Sequence, residues 1–202
     1  MLDHHLRPLI DPPLDRLGQR LAVAGVGATL VTLVGLALGL AAAASIAAGW
    51  FGAGLVLMLA SRLADGLDGA VARATRPSDF GGFLDIVADF GFYAAIPLGF
   101  VLADPGANGL AGAALIAAFY VNAATFLGYA ILAAKRGLST SANGPKAWYH
   151  ANGLLEGTDT IAFFAAFCLF PGAFAPLAWA FAGLCLLTAG LRILAARDTF
   201  GG

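Results

Sequence analysis

Charge is what this sequence has least of. Only 11% of its 202 residues are Asp, Glu, Lys or Arg, against about 25% in an ordinary soluble domain. Hydrophobic residues make up 60%, and mean hydropathy is +0.84. So little charge cannot cover the surface of a water-soluble domain, and no separate soluble domain fits between the apolar runs. Cysteine is nearly missing: Cys168 and Cys185 both lie inside apolar runs, which excludes a disulfide framework and a CxxC metal site. A formal net charge of -1 gives no global electrostatic reason to bind nucleic acid. His4, His5 and His150 lack the spacing of a zinc site, and no internal repeat is evident.

Apolar length is what the chain has instead. Runs cover residues 30–48, 50–67, 82–103, 110–134, 160–170 and 174–196, and a helix crosses the hydrocarbon in about 20 residues. The expected architecture is therefore an all-α integral membrane protein of six transmembrane helices, forming one domain over residues 1–202. No small-residue cleavage site follows a short apolar region, so the first membrane segment is expected to stay in place. Turn chemistry separates the spans at Gly49, at Asp104-Pro105-Gly106 and at Phe170-Pro171-Gly172. The 27 glycines permit close helix approach in lipid, and the three tryptophans and many phenylalanines are expected at the interfaces and facing lipid.

Basic residues set the orientation, because cytoplasmic loops carry the excess Lys and Arg. Arg7, Arg16, Arg20, Arg73, Arg76, Lys135, Arg136, Lys146, Arg192 and Arg197 all fall on the side shared by both termini, Arg62 lies within the second span towards that side, and Asp104 is the one charge opposite. Both termini are therefore expected to be cytoplasmic. The N-terminal segment, residues 1–27, includes a stretch over 6–21 that reads as either an interfacial helix or a solvated tail, with Pro12-Pro13 expected to break it.

Four carboxylates stand out against this background. Asp65 and Asp68 are three apart and Asp85 and Asp89 four apart, so each pair projects from one helix face, and the short loop over 74–80 makes the two helices neighbours. Ionisable groups at membrane depth cost about 2.5–3.5 kcal/mol each on insertion scales, so something must neutralise them: Arg62, Arg73 and Arg76, or bound divalent cations. Gly66, Gly69, Gly81 and Gly82 remove side chains beside the acids, which is room a phosphate-bearing ligand needs. Spacing alone leaves three readings open: metal and phosphate chemistry, an ion or proton pathway, and structural salt bridges.

The pattern Asp65-x-x-Asp68-Gly69-x-x-Ala72-Arg73, seven residues, then Gly81-x-x-x-Asp85-x-x-x-Asp89 resembles the complete signature of the CDP-alcohol phosphotransferase family. The likeness extends to chain length, six-helix layout and motif placement. The opening Met-Leu-Asp and the Gly-Leu-x-Glu-Gly-Thr stretch at 153–158 are similar to small bacterial inner-membrane members. The resemblance implies a transferase that moves a phosphatidyl group from CDP-diacylglycerol, or another CDP-alcohol, to the hydroxyl of a small polar acceptor and releases CMP. It further implies two divalent cations, Mg²⁺ or Mn²⁺, held by Asp65, Asp68, Asp85 and Asp89, with Asp89 also as general base. Gly69, Ala72 and Gly81 would give the nucleotide and diphosphate close access, with Arg73 adding positive charge or positioning the aspartates. Family members commonly place a Pro-Asn pair ahead of a hydroxyl residue in the first span; here Ala28 and Thr29 replace that pair while Thr32 matches. Thr32 is expected at the nucleotide or bonded back to its own helix. A homodimer in the bacterial inner membrane, with its active site facing the cytoplasm, is implied as well.

Acceptor contacts are expected from the cytoplasmic residues Lys135, Arg136, Lys146 and Glu156, the basic ones being suited to a phosphorylated acceptor and also to topology alone. Asp159 or Thr158 is expected to cap the fifth span. A transporter using the acidic cluster to bind a coupling ion is the alternative of a different class.

Overall fold

The computed structural model describes residues 3–138 and 157–201, with side chains from Ile10 onward. Seven helices account for nearly all of it: α1 Asp3–Val23, α2 Ala28–Ala47, α3 Phe51–Ala74, α4 Asp79–Ala103, α5 Pro105–Lys135, α6 Gly157–Leu169 and, after one 3₁₀ turn at Pro171–Ala173, α7 Phe174–Phe200. Helix ends fall where the local chemistry demands them. Gly49 turns the chain between α2 and α3 at φ 80°, a conformation that costs a glycine little. The Ser78 hydroxyl accepts from the Gly81 amide at 3.0 Å to cap α4. The Asp104 carboxylate accepts from the Ala107 amide at 2.9 Å, with Pro105 in the first turn of α5.

Among the described residues, four helical segments are long and apolar enough to cross a membrane: Ala28–Ala47, Asp79–Ala103, Pro105–Lys135 and Pro171–Phe200. The remaining two expected spans differ for identifiable reasons. Helix α3 has the length, 24 residues, but from its midpoint onward it carries Arg62, Asp65, Asp68 and Arg73. Helix α6 shows 13 apolar residues, and the chain immediately before it lies outside the described residues.

Helix α2 packs against both α3 and α4, α5 against α4 and α7, and α6 against α3. Small residues set the closest approaches: a Cβ on Gly99 would lie 2.7 Å from the Ala43 carbonyl oxygen, and one on Gly39 2.7 Å from the Phe92 ring. This is the packing by contact that helices use where lipid removes the hydrophobic drive.

Phe80, Phe83, Phe126 and Phe170 are exposed as expected, but six other phenylalanines correct the expectation that these residues face lipid. Phe92, Phe100, Phe164, Phe167, Phe174 and Phe181 are fully buried and interlock through pairs such as Phe100–Phe174, stacked at 4.7 Å, and Phe119–Phe181, edge-on at 5.2 Å. Oriented ring contacts hold the interior where apolarity cannot discriminate inside from outside. Trp50 and Trp179 do stay exposed.

Nor do the prolines break the N-terminal segment: α1 runs through Pro12 and Pro13. Tertiary contact just beyond them supplies the compensation. At Gly18 a Cβ would lie 2.7 Å from Ala70 Cβ and 2.8 Å from the Ala70 carbonyl carbon, and at Gly66 3.0 Å from Leu14, so α1 lies directly on α3. Gly18→Val should therefore push α1 off its seat, since the obstruction is backbone. A loss of about 1–3 kcal/mol is expected, read as a lower melting temperature with faster proteolysis within α1.

Candidate active site

The four aspartates lie on the C-terminal half of α3 and the N-terminal half of α4, brought together by the connection over 75–78. Asp68 is buried, 6% exposed, whereas Asp65, Asp85 and Asp89 are half-buried. Asp89 lies within electrostatic reach of each of the other three. The two helices pack on α2 rather than on each other, so the acids of α3 and α4 approach across a gap that side chains bridge.

The neutralising cation is Arg62. Its Nη1 donates to Asp89 Oδ1 at 2.7 Å and lies 3.4 Å from Asp65 Oδ1. Nη2 donates to the Ser61 hydroxyl at 3.3 Å, and that hydroxyl donates to the Gly35 carbonyl of α2 at 2.7 Å. The guanidinium carbon sits 3.7 Å from the centroid of the buried Phe92 ring, a cation–π contact strengthened by desolvation. The i,i+3 link to Asp65 is legible in the sequence; the link to Asp89, the stronger one, is tertiary.

The other arginines do different work. Arg73 Nη2 reaches Asp15 Oδ1 of α1 at 2.7 Å, with both side chains largely exposed, and Arg76 is exposed in the α3–α4 connection. Arg192, expected on the side shared by both termini, is buried in α7 and donates to the Asn122 carbonyl and side-chain oxygens at 3.0 and 2.9 Å and to Thr125 Oγ1 at 3.0 Å. Charge-assisted bonds to polar groups of α5 are what make an arginine tolerable there.

Three of the four glycines beside the acids face the chain itself. Gly66 receives Leu14, a Cβ on Gly69 would lie 3.3 Å from Arg73 Nη1 and one on Gly81 3.0 Å from the Ser78 hydroxyl, while Gly82 opens onto free space. Thr32 is buried, donates to the Ala28 carbonyl at 3.1 Å and stands beside Asp68, so the back-bond and the approach to the site coexist. Ala72 is half-buried on α3.

On the expected acceptor side, Lys135 is exposed at the end of α5. Arg136 instead donates to the Thr199 and Phe200 carbonyls at 3.0 and 2.8 Å, closing the C-terminus of α7 as a basic residue does at a helix end. Lys146, His150, Trp148 and Glu156 lie outside the described residues. Asp159 sits in the first turn of α6.

Whether divalent cations fit can be judged from the residues present. The donors are all carboxylates, the oxygen set that Mg²⁺ and Mn²⁺ favour. Asp68 Oδ2 is buried and accepts no hydrogen bond, an unmet need that a cation would meet. Among the described residues no trio of His, Cys, Asp or Glu is already drawn together at cation-binding distance. Arg62 occupies the space between two of the carboxylates. The chemistry therefore fits a divalent cation, and the arrangement seen is the one held by Arg62.

This all-helical bundle is similar in fold to the crystal structure of Mycobacterium tuberculosis phosphatidylinositol phosphate synthase with CDP-DAG bound. The TM-score is 0.72 at 19% identity, covering 91% of this chain and 93% of that one. Residues 25–194 match the family model for CDP-alcohol phosphatidyltransferase. The chain belongs to that family and is a transferase of that type. It is 47% identical over 175 residues to inner membrane protein YnjF of Escherichia coli K12, covering 87% of this chain and 85% of that protein. It is also 41% identical over 87 residues to archaetidylinositol phosphate synthase of Methanothermobacter thermautotrophicus, 43% of each chain.

Proposed function

We propose that this protein transfers a phosphatidyl group from CDP-diacylglycerol, or a related CDP-alcohol lipid, to the hydroxyl of a small polar acceptor with release of CMP, in a bacterial inner membrane. The observation that carries the reading is the four-aspartate cluster across α3 and α4, with one carboxylate oxygen of Asp68 buried and unpartnered. Family membership supports the donor class, and the relatives and the fold neighbour named as inositol phosphate lipid synthases make a phosphorylated polyol the first acceptor to test. An ion-coupled transporter gains no comparable support.

In this reading six helices, α2 to α7, span the bilayer as a single domain with both termini and the aspartates at the cytoplasmic face. Asp65, Asp68, Asp85 and Asp89 would hold two divalent cations, Mg²⁺ or Mn²⁺, which when bound supply charge stabilisation for the attacking and leaving oxygens. Asp89, fixed by Arg62 through Oδ1, takes the acceptor proton through its other oxygen. Thr32, Gly69, Ala72 and Gly81 border the nucleotide and diphosphate, and Lys135, with Lys146 and Glu156, meets the acceptor. The protein acts as a homodimer, which cross-linking in native membranes checks.

The direct test is CMP release by the purified protein given CDP-diacylglycerol, Mg²⁺ or Mn²⁺, and glycerol 3-phosphate, inositol phosphate, inositol, serine or choline in turn. Metal-dependent release with one acceptor names the product; no release with any of them, together with failure to bind CDP-diacylglycerol, overturns the reading. Arg73 offers a finer check, because its partner Asp15 can be removed separately. Asp15→Asn should change stability by less than about 1 kcal/mol, as exposed ion pairs do, and leave turnover intact. Arg73→Ala should lower turnover if the guanidinium serves the diphosphate; matching kinetics in the two variants would confine Arg73 to anchoring α1.

A further inference from the structure

Arg62 is a charge placed with unusual care. Its side chain is 8% exposed, its guanidinium is stacked on Phe92, and Phe92 owes its position to Gly39, where any Cβ would strike the ring at 2.7 Å. Ser61 fixes a second edge by bridging to α2. Arg62 Nε has no hydrogen-bond partner, so carboxylate pairing and ring stacking, rather than a full set of bonds, keep the group in place. Among the described arginines it alone pairs with the aspartate cluster, Arg73 being engaged with Asp15.

We propose that Arg62 is the built-in counter-ion of the carboxylate site: it holds Asp65 and Asp89 when no divalent cation is bound, competes with the cation for those two ligands, and thereby sets the site's cation affinity. The inference rests on reading the four aspartates as cation ligands. Two carboxylates near the membrane without a partner would repel one another and open the α3–α4 hairpin; one guanidinium at 2.7 and 3.4 Å prevents this. The same positive charge opposes an incoming dication at the same oxygens. Stability without metal and affinity for metal are thus set against each other through one residue. Asp68 and Asp85, which Arg62 does not bond, are the ligands open to the first cation.

The test is Mn²⁺ titration of the purified full chain in detergent, following free Mn²⁺ by electron paramagnetic resonance, with thermal unfolding in EDTA and in Mn²⁺ and CMP release measured in parallel. Arg62→Gln should melt lower in EDTA, because a buried pair has lost its cation, and should bind Mn²⁺ at least about tenfold more tightly. Arg62→Lys keeps the charge on a flexible stem without the planar fork, so it should bind Mn²⁺ about threefold more tightly, and it decides the matter if the Gln variant fails to fold. Mn²⁺ affinity equal to or weaker than wild type in the folded variants overturns the counter-ion role. If wild type meanwhile releases CMP, the transferase reading stands without it; a wild type that neither binds Mn²⁺ nor releases CMP overturns both.

Discussion

Asp89→Asn should reduce CMP release about a thousandfold, within the 10²–10⁴ range that positioned proton transfer supplies, while leaving the protein folded. The amide keeps the shape of the carboxylate but cannot take a proton from the acceptor hydroxyl. Folding survives because Arg62 retains Asp65 at 3.4 Å, the Ser61 hydroxyl at 3.3 Å and the Phe92 ring, so its charge is not stranded. Turnover of the variant with each acceptor and its melting temperature are the paired measurements. A folded variant that keeps more than a tenth of wild-type turnover removes Asp89 from the role of base.

Asp68→Asn should separate function from stability in the opposite sense. Asp68 is the most deeply buried of the four acids, and although Thr32 stands beside it, its Oδ2 has no partner, so in the metal-free protein its desolvation is met on one side only. Replacing it with a neutral amide removes that cost, and the variant should be more stable in EDTA by roughly 1–2 kcal/mol. Turnover should fall by at least a hundredfold, since even outer-shell partners of a metal are worth 10–100-fold. Thermal unfolding in EDTA and in Mn²⁺ shows both effects: the metal-free curve moves up, and the shift on adding Mn²⁺ shrinks. A variant less stable than wild type in EDTA would mean that Asp68 is offset by a contact that the buried oxygen does not reveal.

Much of this architecture is legible in the residues. The aspartate spacings place the pairs on helix faces, and Asp104-Pro105 and Gly49 mark helix ends that the structure keeps; the short 74–80 loop argues for α3 and α4 as packed neighbours, but both helices pack chiefly on α2 and meet each other through long side chains such as Arg62 and Asp89. The N-terminal segment is less so: Pro12 and Pro13 argue for a break, yet contact of Gly18 with Ala70 and of Leu14 with Gly66 holds α1 together on α3. Buried and lipid-facing residues are also indistinguishable by composition in helices such as α2 and α7, which are apolar around most of their circumference. That is why the phenylalanine interior and the inward position of Arg192 are found only in the fold.

Local pattern alone determined that this chain is a helical membrane protein with four carboxylates gathered at one helix hairpin, because charge is so scarce that its few positions carry the message. Tertiary structure alone decided which cation answers which acid. Arg62 and Asp89 stand 27 positions apart and Arg73 and Asp15 58, and an arginine's long side chain reaches several neighbours equally well until the surrounding helices close off all but one. Phe92, Gly39 and Ser61 close that choice for Arg62.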